Sequence, residues 1–433
     1  MTTTATYTPS KIVAVFLVRF DMRTGYELVW SESTIPDFDF TGVDYKVLPS
    51  GIHETTNASV LISHKNKDKL YYGLGRFIQL AANDDYNNRD NVHMYSLGIL
   101  CEPEVDEWKP NEFGNTGWEY VDMLDDALTQ FLASDRTQFD AFRAFLNPFL
   151  DPSETKLNMS NHLITKLPEL HEYLGPLVLP IFKQALLRKR ILLFNNNHAH
   201  SHQLPRDYLF SIEAFGYLFS LMSMIPKDVR SADNAKFYSQ PLYNIGLNDD
   251  EAFRTPGYIG TTNDDILMYQ TDKYDVGVML NANFKPEIYT NAGAKTGAIK
   301  SNLEDYAKLK FLAVNLDHGS GVVDADLRML ETNSLRLLMS NPDKPHDLDL
   351  LINVIGYFHK LTRKWFALID DIVAEEMETG MSRLSIELSY QDVVDMELNP
   401  YDDTDLDFIR DFVLLYWEQV DNVDIGIGFS LCC

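Results

Sequence analysis

Residues 11–20 are apolar and β-branched with little interruption. The polar segment Asp21-Met-Arg-Thr-Gly25 separates them from a second such run over 26–31. This run–turn–run pattern predicts a β-hairpin. A second hairpin is predicted over 58–64 and 69–80, around a turn at 65–68, and a fifth strand over 92–100. At Trp118 the period changes. Trp118, Val121, Leu124, Leu128, Phe131 and Leu132 recur at the three-and-four spacing of an amphipathic helix. Five antiparallel strands backed by helices make a small α+β domain.

A polar, Pro-containing stretch over 147–161 reads as a linker. Beyond it, Leu170, Leu174, Leu177, Val178, Ile181, Phe182, Ala185 and Leu186 form one helical face, with a bend predicted at Pro176 and Pro180. The helix ends in Arg188-Lys189-Arg190, an exposed basic end in this reading, and residues 191–194 follow as a short buried strand. Residues 211–224 are apolar nearly all round and predict an interior helix, and further strands are predicted at 241–247, 258–261 and 274–280. Short apolar strands between helices indicate an α/β layer. After Gly297 the pattern is helical. Ser301-Asn-Leu-Glu304 has the form of a capping box, and helices are predicted over 326–339, 347–378 and 406–420.

Composition narrows the function. The 433 residues are 45% hydrophobic and 12% aromatic, a globular composition whose length points to two or three domains. With 37 Lys+Arg against 64 Asp+Glu the formal net charge is −27, which argues against nucleic acid as a partner. From Asp370 onward 17 acidic residues meet two arginines, Arg383 and Arg410. That stretch reads as a solvated acidic face or as a patch for a basic partner. Three cysteines exclude a disulfide framework and fit a reducing, cytoplasmic compartment. No run approaches the roughly 20 uncharged apolar residues of a membrane span, and the first residues lack a signal-peptide pattern.

Candidate chemistry is sparse. Ala294-Lys295-Thr296 fails as a phosphate loop, because Ala294 and Tyr289 stand where glycines are needed. His198, His200 and His202 alternate like metal ligands, but they sit among Asn195-Asn-Asn197 and Gln203 with no nearby Cys and no strand to hold the imidazoles, which favours a polar loop over a metal site. Asp317-His318-Gly319-Ser320-Gly321 places triad residue types side by side, whereas triad partners meet across a fold. Asp402, Asp403, Asp405 and Asp407 lack the glycine and terminal Glu of a calcium loop. No catalytic constellation and no cofactor site emerges. Cys432 and Cys433, behind the apolar stretch 425–431, read either as a doubly lipidated anchor or as an incidental tail.

Several segments, in order, carry a resemblance to the DENN family. Tyr95-Ser-Leu-Gly-Ile-Leu100, before the first long helix, is similar to the final longin strand of DENN proteins. Gly260-Thr-Thr-Asn263 resembles the motif that closes a central-domain strand in several branches. Gln184-Ala-Leu-Leu-Arg-Lys-Arg-Ile-Leu-Leu-Phe194 and Tyr274-Asp-Val-Gly-Val278 resemble central-domain units of the LCHN branch, in a divergent, fungal-type form.

The resemblance implies a tripartite α+β and α/β chain. A longin-like antiparallel sheet domain would span 1–135 and a linker 136–165. A central three-layer α/β domain would span 166–300, and a C-terminal helical domain with an acidic tail 301–433. It implies guanine-nucleotide exchange on a Rab-type small GTPase in membrane traffic, through preferential binding of the nucleotide-free form. In the family the GTPase docks along the surface shared by the first two domains. A lipidated end would place the protein peripherally on an internal membrane. The alternatives are a non-catalytic adaptor of the same fold and a metal-dependent enzyme built on His198, His200 and His202.

Overall fold

The computed structural model describes residues 9–49, 56–81, 92–103, 115–150, 157–196, 211–229, 238–281, 286–290, 298–318, 348–378 and 383–426. The chain opens with hairpin strands β1 (Ile12–Asp21) and β2 (Gly25–Ser33), the short helix α1 (Val43–Lys46), then β3 (Asn57–Asn66), β4 (Lys69–Ala81) and β5 (Val92–Cys101). They form an antiparallel sheet in the order β2-β1-β5-β4-β3. The near-continuous apolar run of β1 follows from burial on both faces. Ile12, Val15 and Leu17 face the helices, while Val13, Phe16 and Val18 face the segment carrying α1. In Tyr95-Ser-Leu-Gly-Ile-Leu100, Gly98 is required because a Cβ there would lie 2.4 Å from the Phe16 ring. Ser96 donates to the Val47 carbonyl (2.9 Å).

Helices α2 (Val121–Ala133) and α3 (Asp140–Arg143) cover one face of this sheet. In the stretch expected to connect the first two domains, 136–165, the described residues include core positions: Phe142 and Ile164 are fully buried. Next come α4 (Leu167–Leu174) and α5 (Val178–Leu186). The expected bend between them is a full break, because Gly175 turns left-handed (φ 54) ahead of Pro176. Pro180 lies in the first turn of α5, where an amide would have had no helical partner.

The central sheet takes β6 (Ile191–Asn196), and after α6 (Ser211–Met222) it takes β7 (Gln240–Leu242), β8 (Tyr258–Thr262), β9 (Val276–Asn281), β10 (Glu287–Thr290) and β11 (Ala298–Ile299), in the order β11-β10-β9-β6-β8-β7. Its middle strands run parallel and its β9–β10–β11 edge antiparallel. Helices α5 and α6 pack on one face; Phe253 and Leu267, from two 3₁₀ turns, help close the other. The expected strand over 241–247 stops at Leu242, because Asn244 is left-handed (φ 50) and turns the chain.

The C-terminal part contains α7 (Leu303–His318), α8 (Leu348–Met377), β12 (Leu384–Ser389), α9 (Tyr390–Asp395), α10 (Asp403–Tyr416) and β13 (Val420–Gly426). The cap of α7 is shifted one residue from expectation. Asn302 accepts from the Asp305 amide (3.0 Å) and Asp305 accepts from the Asn302 amide (3.1 Å). The helix expected over 326–339 lies outside the described residues; to the other expected helices the chain adds a two-stranded parallel sheet, β12 with β13. The helix expected over 406–420 therefore starts at Asp403 and ends at Tyr416. One apolar cluster runs from Leu17 and Leu97 through Leu170 and Phe182 to Trp365 and Phe412, so the three parts share a continuous core. Among the described residues no helix is long and apolar enough to cross a membrane.

Candidate functional site: the cleft between the two sheets

The edge strand β3 of the first sheet meets the segment 241–249 of the central part. The Ser63 amide donates to the Tyr243 carbonyl (3.3 Å), and the Ser63 hydroxyl both donates to that carbonyl (3.1 Å) and accepts from the Tyr243 amide (3.0 Å). The Tyr72 hydroxyl donates to the Pro241 carbonyl (2.9 Å). Lys46, at the end of α1, reaches into this seam with a side chain only 6% exposed. Its ammonium donates to the Ser63 carbonyl (3.0 Å) and pairs with Asp249 (2.7 Å). A buried ammonium needs such partners, since desolvation costs several kcal/mol per ion. The Tyr45 hydroxyl is held above its ordinary pKa by burial and by the adjacent Asp249 carboxylate.

Beside the seam lies a polar cleft of about 470 Å³, lined on one side by Lys46, His64, Lys65 and Asp68 and on the other by Asp249, Asp250 and Glu251. The lysines are already engaged: Lys65 pairs with Glu251 (2.9 Å) and Lys46 with Asp249, while Lys273 holds Asp250 (2.7 Å). Burial lowers the His64 pKa, and its Nε2 donates to the Asp39 carbonyl (2.6 Å). Complementary charges around an apolar floor of Leu70, Leu242 and Ile245 suit a protein-docking cleft.

The Gly260-Thr-Thr-Asn263 motif supports the cleft from below. Thr261 accepts from the Asn244 amide (3.1 Å), and Asn263 donates to the Asn244 side chain (3.1 Å). The cap of the following 3₁₀ turn is Asp264, which accepts from the Ile266 amide (3.1 Å). The basic run is not a free surface either. Arg188, left-handed at φ 54, donates to the Ala185 and Ser223 carbonyls, Lys189 pairs with Asp411, and Arg190 is bidentate with Asp275.

Of the sequence candidates, His198, His200, His202, Cys432, Cys433 and Ala294 to Thr296 lie outside the described residues. Asp317 and His318 fall in the last turn of α7, and the glycines after them lie outside the described residues. The acidic row is split: Asp402 caps α10, accepting from the Thr404 and Asp405 amides, whereas Asp405 is fully buried on Lys183 (2.6 Å). Sequence reasoning passed over Lys46 and Asn244. The signal for Asn244 was an Asn-Ile-Gly turn ending an apolar strand; Lys46 left none.

An antiparallel sheet, a mixed central sheet joined to it along a polar seam, and a helical third part define the tripartite architecture of a DENN protein. The model of the DENN domain-containing protein 11 family matches residues 15–151 and 150–289, more than half of the chain, and the protein belongs to that family. It is 24% identical to the uncharacterized protein ANR2 of Saccharomyces cerevisiae, over 96% of this chain and 92% of that protein. A second relative, the uncharacterized protein C119.16c of Schizosaccharomyces pombe, is 24% identical over 97% and 95%. DENN domain-containing protein 11 of Rattus norvegicus is 23% identical over 62% of this chain and 57% of its own length. The family match covers every residue that lines the cleft. A larger, apolar groove of about 1020 Å³ between α7 and α8, lined by Phe311, Tyr357 and Leu361, lies beyond it.

Proposed function

We propose that this protein regulates a Rab-type small GTPase in membrane traffic, docking it over the cleft between the two sheets. The observation that carries this reading is the position of the cleft. It sits at the boundary of the first sheet and the central part, within the residues matched to the DENN family. Exchange needs no catalytic base. It requires the nucleotide-free GTPase to bind more tightly than the loaded one, and by linkage the nucleotide then expels the regulator by the same factor. The paired charges of the cleft are groups through which contacts of that kind could be made with a GTPase switch segment, whose conformation differs between nucleotide states.

The non-catalytic adaptor is favoured by one feature. Lys46 and Lys65 are already neutralised within the chain, so neither is free to displace a phosphate or a metal ion. Release of a fluorescent guanine nucleotide from a panel of purified Rab proteins separates the two. Acceleration that saturates with added protein supports exchange, and binding without acceleration supports the adaptor. A panel that shows neither binding nor release refutes GTPase regulation.

A further inference from the structure

Asn244 has a left-handed backbone (φ 50) in the chain that leaves β7, a conformation uncommon for any residue but glycine. Asparagine tolerates it better than most, and glycine would adopt it more readily still. The side chain explains the choice. The Asn244 amide nitrogen donates to the carbonyl of Lys46 in the first sheet's part, and its oxygen accepts from Asn263 (3.1 Å) at the end of β8. Asn263 accepts in turn from Asn195 (2.7 Å) at the end of β6. The main chain is pinned as well, with the Asn244 amide on the Thr261 hydroxyl and the Ile245 amide on the Thr261 carbonyl (2.9 Å). A chain of three carboxamides therefore runs from two central strands across the seam to the helix that carries Lys46. Residues held in sparsely populated backbone conformations mark functional sites more often than chance.

We infer that Asn244, backed by Asn263 and Asn195, is a positioning residue: it fixes the angle between the first sheet and the central sheet at which the cleft accepts its GTPase. This rests on the docking reading above. The physical reason is leverage. The carboxamide chain crosses the seam close to the cleft, so a small rotation there displaces Lys46 and Asp249 together. A partner that contacts both sides cannot follow such a shift without losing contacts on one of them.

Two substitutions isolate the side chain from the fold. Asn244→Gly keeps the left-handed backbone accessible and deletes both side-chain hydrogen bonds; Asn263→Ala removes the link behind it. GTPase affinity, thermal midpoint and amide hydrogen exchange would be measured for each single variant and for the double variant. We expect each single variant to bind the responsive GTPase about tenfold more weakly or worse. Their thermal midpoints should stay within a few degrees of the parent, and the double variant should bind no worse than Asn244→Gly alone. The amides of Ser63 and Tyr243, which pair across the seam, should exchange faster in both single variants. Unchanged affinity, additive losses in the double variant, or a loss that only tracks falling stability would overturn the inference. If the parent binds no GTPase, the docking reading has failed, and the exchange arm still decides. Unaltered protection at Ser63 and Tyr243 in Asn244→Gly then refutes the relay, and faster exchange sustains it as the element that sets the angle.

Discussion

The central part of the molecule is held on two sides by buried lysines, and the two seams are built differently. Toward the C-terminal helices, Lys183 on α5 is 4% exposed and donates to Asp305 (2.9 Å) and Asp405 (2.6 Å), each 1% exposed. Burial opposes the charge of Lys183, but the two carboxylates outweigh it and hold its pKa above the ordinary value. Asn302 and the Asn399 amide complete the shell of Asp405, and aromatic rings close over it: Phe182 against Phe358 and Trp365, Trp365 against Phe408. Toward the first sheet, Lys46 meets one carboxylate that is 15% exposed, beside an open polar cleft. The first seam is a charged weld inside a dry core. The second is a joint beside an open polar cleft, within reach of a partner.

Breaking the weld has the largest expected effect. Lys183→Met removes the cation that both buried carboxylates accept hydrogen bonds from and should cost about 3–5 kcal/mol in denaturant unfolding. A loss below about 1 kcal/mol would mean that the seam relaxes and takes in water, and the contrast between the seams would then disappear.

Next in size is a pH effect at the back of the joint. Glu213 on α6 is buried, with one oxygen lacking a partner among the described residues, and it lies near Tyr217 and Tyr243. Burial pushes its pKa up to about 8. The folded state therefore binds a proton that the unfolded chain releases near the ordinary carboxyl value. That contribution is fully present below about pH 4.5 and is lost progressively until about pH 8, at about 1.4 kcal/mol per unit. Glu213→Gln should match the parent near pH 4.5 and exceed it in stability by several kcal/mol near pH 9, read from denaturation midpoints. A pH-independent difference would show that the site is hydrated.

Legibility in the sequence divides along the same line. Strands β1 and β5 were readable because burial on both faces leaves long apolar runs, and α8 because its apolar stripe persists over 30 residues. The weld was hidden: Asp405 sits in a row of acids whose neighbours are solvated, and only packing against α5 distinguishes it. The β12/β13 pair was readable in part, since Leu384, Ile386 and Leu388 alternate with polar residues, but six residues of that period are outweighed by the helices around them. The α7 cap slipped by one because Ser301-x-x-Glu304 and Asn302-x-x-Asp305 both fit a capping box, and only Asp305 also meets Lys183. At the joint, Lys46 is one lysine among many until the chain folds around Asp249.

Within the joint, Lys46→Met removes the cation from a carboxylate that water still reaches, so the cost should be smaller, about 1–3 kcal/mol. Because the same lysine braces Ser63, GTPase association should weaken in parallel. Comparing this variant with Lys183→Met sharpens the contrast. The weld variant should lose stability while its folded fraction binds normally, and the joint variant should lose binding at a modest stability cost. Equal binding losses per folded molecule would place both lysines in one cooperative unit.

The smallest expected effect on stability is the most discriminating for function. Lys65 and Glu251 form an ion pair at the rim of the cleft, with side chains 44% and 66% exposed. Exposed pairs contribute roughly 0–1 kcal/mol, so Lys65→Glu should leave the unfolding midpoint almost unchanged. The charge reversal nevertheless adds a second carboxylate beside Glu251 and opposite Asp250, at the mouth through which a partner must enter. Rim charges act chiefly on association rates and their salt dependence. The variant should therefore associate with its GTPase at a changed rate at low salt, and the difference should shrink as ionic strength shortens the screening length to about 8 Å at physiological salt. A variant that binds like the parent at every salt concentration would remove the cleft from the docking path, leaving the joint a structural seam like the other.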